Sequence, residues 1–188
     1  MMTRSDPKMI INLNLKDTEF EDKIKLLEEI VKELEKVQSI TKSKILLCSI
    51  GTALRHTDDK ALSIVSSKLK AEHILVNEEN IWVIMDLIAN SQMYIGSSLH
   101  GLITAMSFGV PYVGFEEIGK QKHFIESWSI DELKESVSAS SFSNKAIEVY
   151  NLKDELKCKI KQQTKLLKTK VYRSYIELYS RLTIKCPN

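Results

Sequence analysis

The chain reads as short apolar runs separated by longer segments in which apolar residues return every three or four positions. The first run, Met9-Ile10-Ile11-Asn12-Leu13-Asn14-Leu15, predicts a strand. Thr18 followed by Glu21 forms a capping box, in which hydroxyl and carboxylate satisfy open amides at a helix start. Phe20, Ile24, Leu27, Val31 and Leu34 then share one face of that helix. Residues 45–50 predict a second strand, ended by Gly51, and Thr57 caps a helix carrying Ala61, Leu62, Val65 and Leu69. Residues 73–76 predict a short strand, and Asn77 caps a helix holding Ile81, Met85 and Ile88. Met93-Tyr94-Ile95 reads as strand, residues 99–108 as helix, 112–115 as strand and 120–128 as helix. Between the middle two, Gly109 can supply a left-handed helix terminus and Pro111 prevents the helix from continuing.

Strands alternate with helices throughout residues 9–127, which predicts the α/β class: a Rossmann-like, mainly parallel sheet with helices on both faces. Ligands of such sheets collect at the carboxyl ends of the strands. Residues 136–143 form a polar break of Ser and Ala around Val137 and Phe142. From about residue 144 a long helical segment runs to near 182, with Ile147, Leu152, Leu156, Ile160, Leu167, Val171, Tyr175 and Leu178 as apolar members. It is expected to kink or to pack across the domain as a strap. The division is thus a Rossmann-like domain over residues 1–135 and a helical extension over 136–188 packed on it.

Composition narrows the function classes. With 188 residues, 43% of them apolar and 28% charged, the chain is long enough for one filled core and is neither disordered nor a membrane protein. A formal charge of +2 gives no case for nucleic acid. The basic residues do cluster: ten Lys or Arg lie between Lys153 and Lys185, against Asp154, Glu155 and Glu177. Such a run is more often a solvated helix face than a contact for an anionic membrane or acidic polymer, so peripheral membrane contact is the minority expectation. Cys48, Cys158 and Cys186 are too scattered for a disulfide framework or zinc site, and Cys48 reads as a small buried hydrophobe. Residues 1–8 lack the apolar core of a signal peptide, and no run approaches the ~20 apolar residues of a membrane span. A cytoplasmic location is expected. No HExxH, P-loop or paired-Cys pattern suggests a metal.

The strand-to-helix turn Ile95-Gly96-Ser97-Ser98-Leu99-His100-Gly101 carries the most chemistry. Gly96 lets the backbone turn sharply or approach a ligand. Ser97 and Ser98 offer hydroxyls and free amides at a helix N-terminus, where the macrodipole favours an anion. His100 lies in the first helical turn, where a histidine beside phosphate can act as acid or base. Taken alone, such serines are usually N-caps and such a histidine usually structural. Elsewhere, His56 with Asp58 and Asp59 reads as a helix start, and Glu116 and Glu117 sit at a strand end where sheet ligands bind. His73 reads as structural, His123 as surface, and Trp82 and Trp128 as packing.

Over residues 89–128 the sequence resembles the C-terminal signature of polysaccharide pyruvyl transferases: a strand ending at Ile95, the turn Ser98-Leu99-His100-Gly101, a small-residue helix, Gly109-Val110-Pro111, a strand, then Lys120 with Phe124 four residues on. A looser similarity extends over roughly residues 8–130. The resemblance implies one half of a fold of the glycosyltransferase B type. It implies transfer of the enolpyruvyl group of phosphoenolpyruvate to two hydroxyls of a cell-surface polysaccharide precursor, giving a cyclic pyruvate ketal, with no cofactor beyond that donor. It implies His100 as the acid-base group, Leu99 beside the pyruvyl group and Lys120 on the donor's phosphate or carboxylate, with Gly96, Ser97, Ser98 and Glu116 lining the site. Ser98 stands where the family commonly has Arg, and Ser cannot clamp an anion bidentately. The chain has about half the length of a full transferase, so a missing N-terminal domain or a second copy is expected to complete the cleft. Two other readings use the same residues: a donor domain for a nucleotide sugar, with Glu116 or Glu117 on the ribose, and a non-catalytic half-domain.

Overall fold

The computed structural model describes residues 8–13, 20–50 and 58–183. Five strands, β1 (Lys8–Asn12), β2 (Lys44–Cys48), β3 (His73–Val76), β4 (Met93–Gly96) and β5 (Tyr112–Gly114), alternate with four helices, α1 (Phe20–Thr41), α2 (Asp58–Lys68), α3 (Ile81–Ala89) and α4 (Leu99–Phe108). After β5 come α5 (Gly119–Trp128), a 3-10 turn (Asp131–Leu133), α6 (Ser143–Asn151) and α7 (Lys153–Thr183). The strand order is β3-β2-β1-β4-β5 and every pairing is parallel. The chain winds outward from β1 to β3, crosses back, and winds out again through β4 and β5, so right-handed crossovers put helices on both faces. One face carries α1 against α2 and α6; the other carries α4 against α3, α5 and α7. That double cover explains the unbroken apolar runs of the central strands. Met9, Ile10 and Ile11, and likewise Ile45, Leu46 and Leu47, are all buried, because neither face of the sheet meets water.

Some expectations need correction. Asn80, not Asn77, caps α3: its backbone is extended and its side chain accepts from the Trp82 amide at 3.0 Å. The cap lies three residues further on because the chain leaves β3 through a four-residue loop before it can turn helical. The inward face of α3 is consequently Ile84 and Ile88, while Ile81 is exposed. The polar break at 136–143 is stitched into the sheet. The Val137 amide donates to Gly114 O at 3.1 Å and its carbonyl accepts from Glu116 N at 3.0 Å, while Phe142 packs its ring 5.7 Å from Phe115. The kink expected in the long C-terminal segment is found, as a break at Leu152 that parts α6 from α7, since α6 packs on α1 and α7 on α4, and one straight rod cannot serve both faces of a sheet. Trp82 and Trp128 do not serve the core: they are 73% and 46% exposed. The capping pair Thr18–Glu21, the end of the first predicted strand at Asn14-Leu15, Gly51 and Thr57 lie outside the described residues.

Other expectations hold. Gly109 takes φ 75°, and its amide donates to Met106 O at 3.1 Å, closing α4 in the left-handed conformation. His73 is structural: one ring nitrogen lies 2.9 Å from Ser66 Oγ and the other 2.8 Å from Ala71 O. His123 is a surface residue beside Glu126.

Cys48 and Tyr112 make the fold sensitive to alkali. Burial pushes the Cys48 thiol up to about 11, with the charge of Glu78 adding to the effect. Burial likewise pushes the Tyr112 phenol up to about 12, against the opposing hydrogen bond to Ser129. Both groups prefer their neutral form in the fold, with folded values above the unfolded ones of ~8.5 and ~10. Their contribution is therefore fully present below the unfolded values and is lost as pH rises through the folded ones. The urea midpoint should stay level from pH 7 to about 8.5 and then fall through pH 11, with Cys48→Ala flattening the first part of that fall. An unchanged slope in Cys48→Ala would remove the thiol from this account.

Candidate functional site

The strand order reverses between β1 and β4, and at the carboxyl ends of those strands Asn12 is paired with Gly96. A crevice at that switch point is where open α/β sheets place ligands. Asn12 ties three strand ends together there: its carbonyl accepts from Ser97 N at 3.1 Å, and its buried side-chain amide donates to Cys48 O at 3.0 Å. Gly96 is required for this approach, because a Cβ would stand 2.5 Å from the Asn12 carbonyl oxygen. Tyr94, wholly buried, props the turn from beneath by donating to Ser98 O at 3.2 Å, and its ring fills the space that a Gly101 side chain would need.

The two serines are less open than their place in the sequence suggests. Ser98 is the N-cap of α4, its hydroxyl accepting from the Gly101 amide at 3.3 Å. Ser97 is buried and its amide is spent on Asn12, which corrects the expectation of a free amide there. Leu99 is half-buried. His100 is exposed on the first turn of α4; its carbonyl accepts from Thr104 Oγ1 at 2.8 Å, and its ring makes no hydrogen bond among the described residues.

β4 and β5 are parallel neighbours, so the turns that follow them leave the same edge of the sheet. A residue with no prominence in the sequence welds them together. Gln121, fully buried on the first turn of α5, accepts from Phe115 N at 2.7 Å and donates through Nε2 to Gly96 O at 2.8 Å. Gly114 leaves room for it, since a Cβ at that position would lie 2.9 Å from Gln121 Oε1. The signal was its place beside Lys120, but its partners become visible only once β4 and β5 are adjacent.

Gln121 thereby sets the start of α5 beside the His100 turn. Lys120, next to it, is exposed, as is Glu116 at the end of β5. The N-cap position of α5, Ile118, makes no side-chain hydrogen bond, while Gln121 N and Lys122 N turn back to Ile118 O. The leading amides of α5, at Gly119 and Lys120, are thus left without a side-chain cap, and a Cβ at Gly119 would meet nothing within 4 Å. An open, uncapped helix start with a lysine on it suits an anion better than the start of α4, where Ser98 already caps. Glu117 is partly committed elsewhere, its Oε1 accepting from Ser138 Oγ at 2.7 Å and Ala139 N at 2.9 Å. His56 lies outside the described residues. No group of three His, Cys, Asp or Glu side chains gathers as a metal site requires among the described residues.

A family model described as polysaccharide pyruvyl transferase matches residues 4–117, more than half of the chain. The chain belongs to the polysaccharide pyruvyl transferase family. The matched span takes in all five strands and the His100 turn and stops three residues short of Lys120. No curated protein matches the chain. Among solved structures it is similar to the glycotransferase of kitacinnamycin, with 8% identity and a TM-score of 0.53 over 86% of this chain. The chain spans 40% of the length of that structure. At such identity the likeness concerns the fold, which this pyruvyl transferase family member shares with a glycosyltransferase. Among the described residues no helix is long and apolar enough to cross a membrane.

Proposed function

We propose that this chain is the donor-holding half of a pyruvyl transferase, taking the enolpyruvyl group from phosphoenolpyruvate to two hydroxyls of a sugar in a cell-surface polysaccharide precursor. The observation that supports the reading is the Gln121 weld, which ties the uncapped helix start next to Lys120 to Gly96, the residue that opens the His100 turn, in a chain of this family. The first sugar hydroxyl adds to C2 of the enol phosphate as C3 takes a proton, the hydroxyl's own proton passing to the base. The second hydroxyl then replaces the phosphate at C2, its proton leaving with inorganic phosphate. His100 serves as the group that hands the proton across, and its exposure lets it exchange with solvent between steps. Lys120 and the leading amides of α5 hold the phosphate, neutralising charge that grows as it departs. Glu116, exposed at the same edge, is available to a sugar hydroxyl. The acceptor must be held in line with C2, and that alignment falls to protein on the far side of the cleft, since this chain corresponds to 40% of the solved neighbour.

Calorimetric titration with phosphoenolpyruvate tests the reading. Lys120→Ala should weaken binding by roughly tenfold, the loss of one charge-assisted hydrogen bond. Lys122→Ala, equally exposed on the same turn, should change it little. Equal losses would reduce the effect to surface charge. Binding of a nucleotide sugar in place of phosphoenolpyruvate would move the chain to glycosyl transfer.

A further inference from the structure

α7 has two halves with different surroundings. Its first half packs on the domain: Leu156 and Ile160 are buried, and Thr164 Oγ1 donates to Met106 O at 3.0 Å. The same helix face continues at Val171, Tyr175, Leu178 and Leu182, spaced by four, three and four residues as helix neighbours are. Here it covers nothing, and these side chains are 56–68% exposed. Where α7 leaves the domain, Ile103, Phe124, Trp128, Leu167 and Val171 line an open apolar groove of about 560 Å³. Water-exposed apolar area of this extent marks a contact surface.

Chemistry decides what covers it. Between residues 165 and 183 there are five basic side chains, Lys165, Lys168, Lys170, Arg173 and Arg181, against Glu177 alone. Arg181 is paired with Glu177, whereas the other four make no ion pair among the described residues. At 100° per residue Lys168 lies on one flank of the apolar face and Lys170 and Arg181 on the other, so long stems run beside apolar surface with the charges outward. Tyr172, Tyr175, Tyr179 and Trp128 ring the same patch, and such amphipathic rings favour the headgroup level of a bilayer. A second copy of the chain would set like charge against like along both flanks. An apolar stripe with cationic flanks and aromatic residues complements an anionic lipid surface.

We propose that the distal half of α7, with the Trp128 groove at its base, is a docking surface for an anionic lipid bilayer. The direction of α7 matters for the site. A Cβ on Gly109 would meet Lys161, Thr164 reaches Met106, and Leu167 and Val171 face the groove with Ile103, so α7 runs antiparallel to α4 and climbs toward the edge that carries His100. Docking would hold that edge next to the membrane. The inference does not depend on the transferase reading.

The test is co-sedimentation of the 188-residue chain with vesicles of phosphatidylcholine containing one third phosphatidylglycerol, against phosphatidylcholine alone. Binding to the anionic vesicles should be at least about tenfold tighter and should weaken in high salt. Val171→Glu with Leu178→Glu should abolish it, and Lys168→Glu with Lys170→Glu should reduce it at least about tenfold, with melting unchanged because all four side chains sit on the surface. No binding to anionic vesicles, equal binding to neutral ones, or retention by the Val171→Glu, Leu178→Glu variant would overturn the proposal. So would a dimer in light scattering that the same variant dissociates, since a second copy would then cover the face.

Discussion

His100→Ala should slow the chemical step by about two orders of magnitude or more, the usual cost of losing a positioned acid-base group, and leave the melting temperature where it was. The two halves of this expectation come from the same fact. The ring is exposed on the first turn of α4 and makes no hydrogen bond among the described residues, so nothing in the fold depends on it. The backbone around it is held by other groups, with Ser98 capping the helix and Tyr94 propping the turn. His73→Ala should behave in the opposite way, because His73 bridges Ser66 and Ala71 between α2 and β3 and belongs to the frame. Single-turnover release of phosphate from phosphoenolpyruvate, with the acceptor-side protein present, reads the first effect, and thermal melting reads the second. Turnover that survives His100→Ala would end its role as proton carrier and leave the turn a binding element.

The frame of this site was legible because the pattern that forms it is local. Short apolar runs, each followed by a 3.6-periodic segment, require alternating strands and helices, and a buried parallel sheet is the arrangement that hides both faces of such strands. Gly109 and Pro111 mark their own positions through backbone geometry alone. What was not legible depends on neighbours that the sequence does not order. Asn77 stands directly after the strand where a cap is expected, but the loop after β3 carries the helix start on to Asn80. The break at Leu152 has no glycine or proline to announce it; it follows from α6 and α7 having to reach opposite faces. The amide of Ser97 looks free at a helix start, and is taken by Asn12 only because β1 lies beside β4. Val171, Tyr175 and Leu178 carry the periodicity of a core helix, yet periodicity cannot say where the rest of the core ends.

Gln121→Met tests whether the two turns at the sheet edge are one unit, and it should cost more stability than any other substitution of similar volume near the site. Methionine fills almost the same space, so cavity and crowding effects are small. It removes an acceptor and a donor together. The Phe115 amide and the Gly96 carbonyl then stay buried without their partners, at about 1–3 kcal/mol each. For a domain of this size 1 kcal/mol moves the melting temperature by about 2–4 °C, which gives a fall of roughly 5–20 °C. Gln121→Glu keeps one of the two bonds, since a carboxylate can accept from Phe115 N but cannot donate to Gly96 O, and it buries a charge besides; it should not rescue. The consequence for function separates this from ordinary loss of core. With the weld gone, α5 is no longer set against the His100 turn, so affinity for phosphoenolpyruvate measured well below the lowered melting point should also drop, although Gln121 is buried beneath the edge. Gly119→Ala offers the contrast: open space surrounds that position, so the domain should melt within a degree or two of the parent while a ligand lying against the α5 amides would meet the added methyl. A Gln121→Met protein that melts normally would show that the two turns hold their places independently, and Lys120 would then lose its structural link to His100.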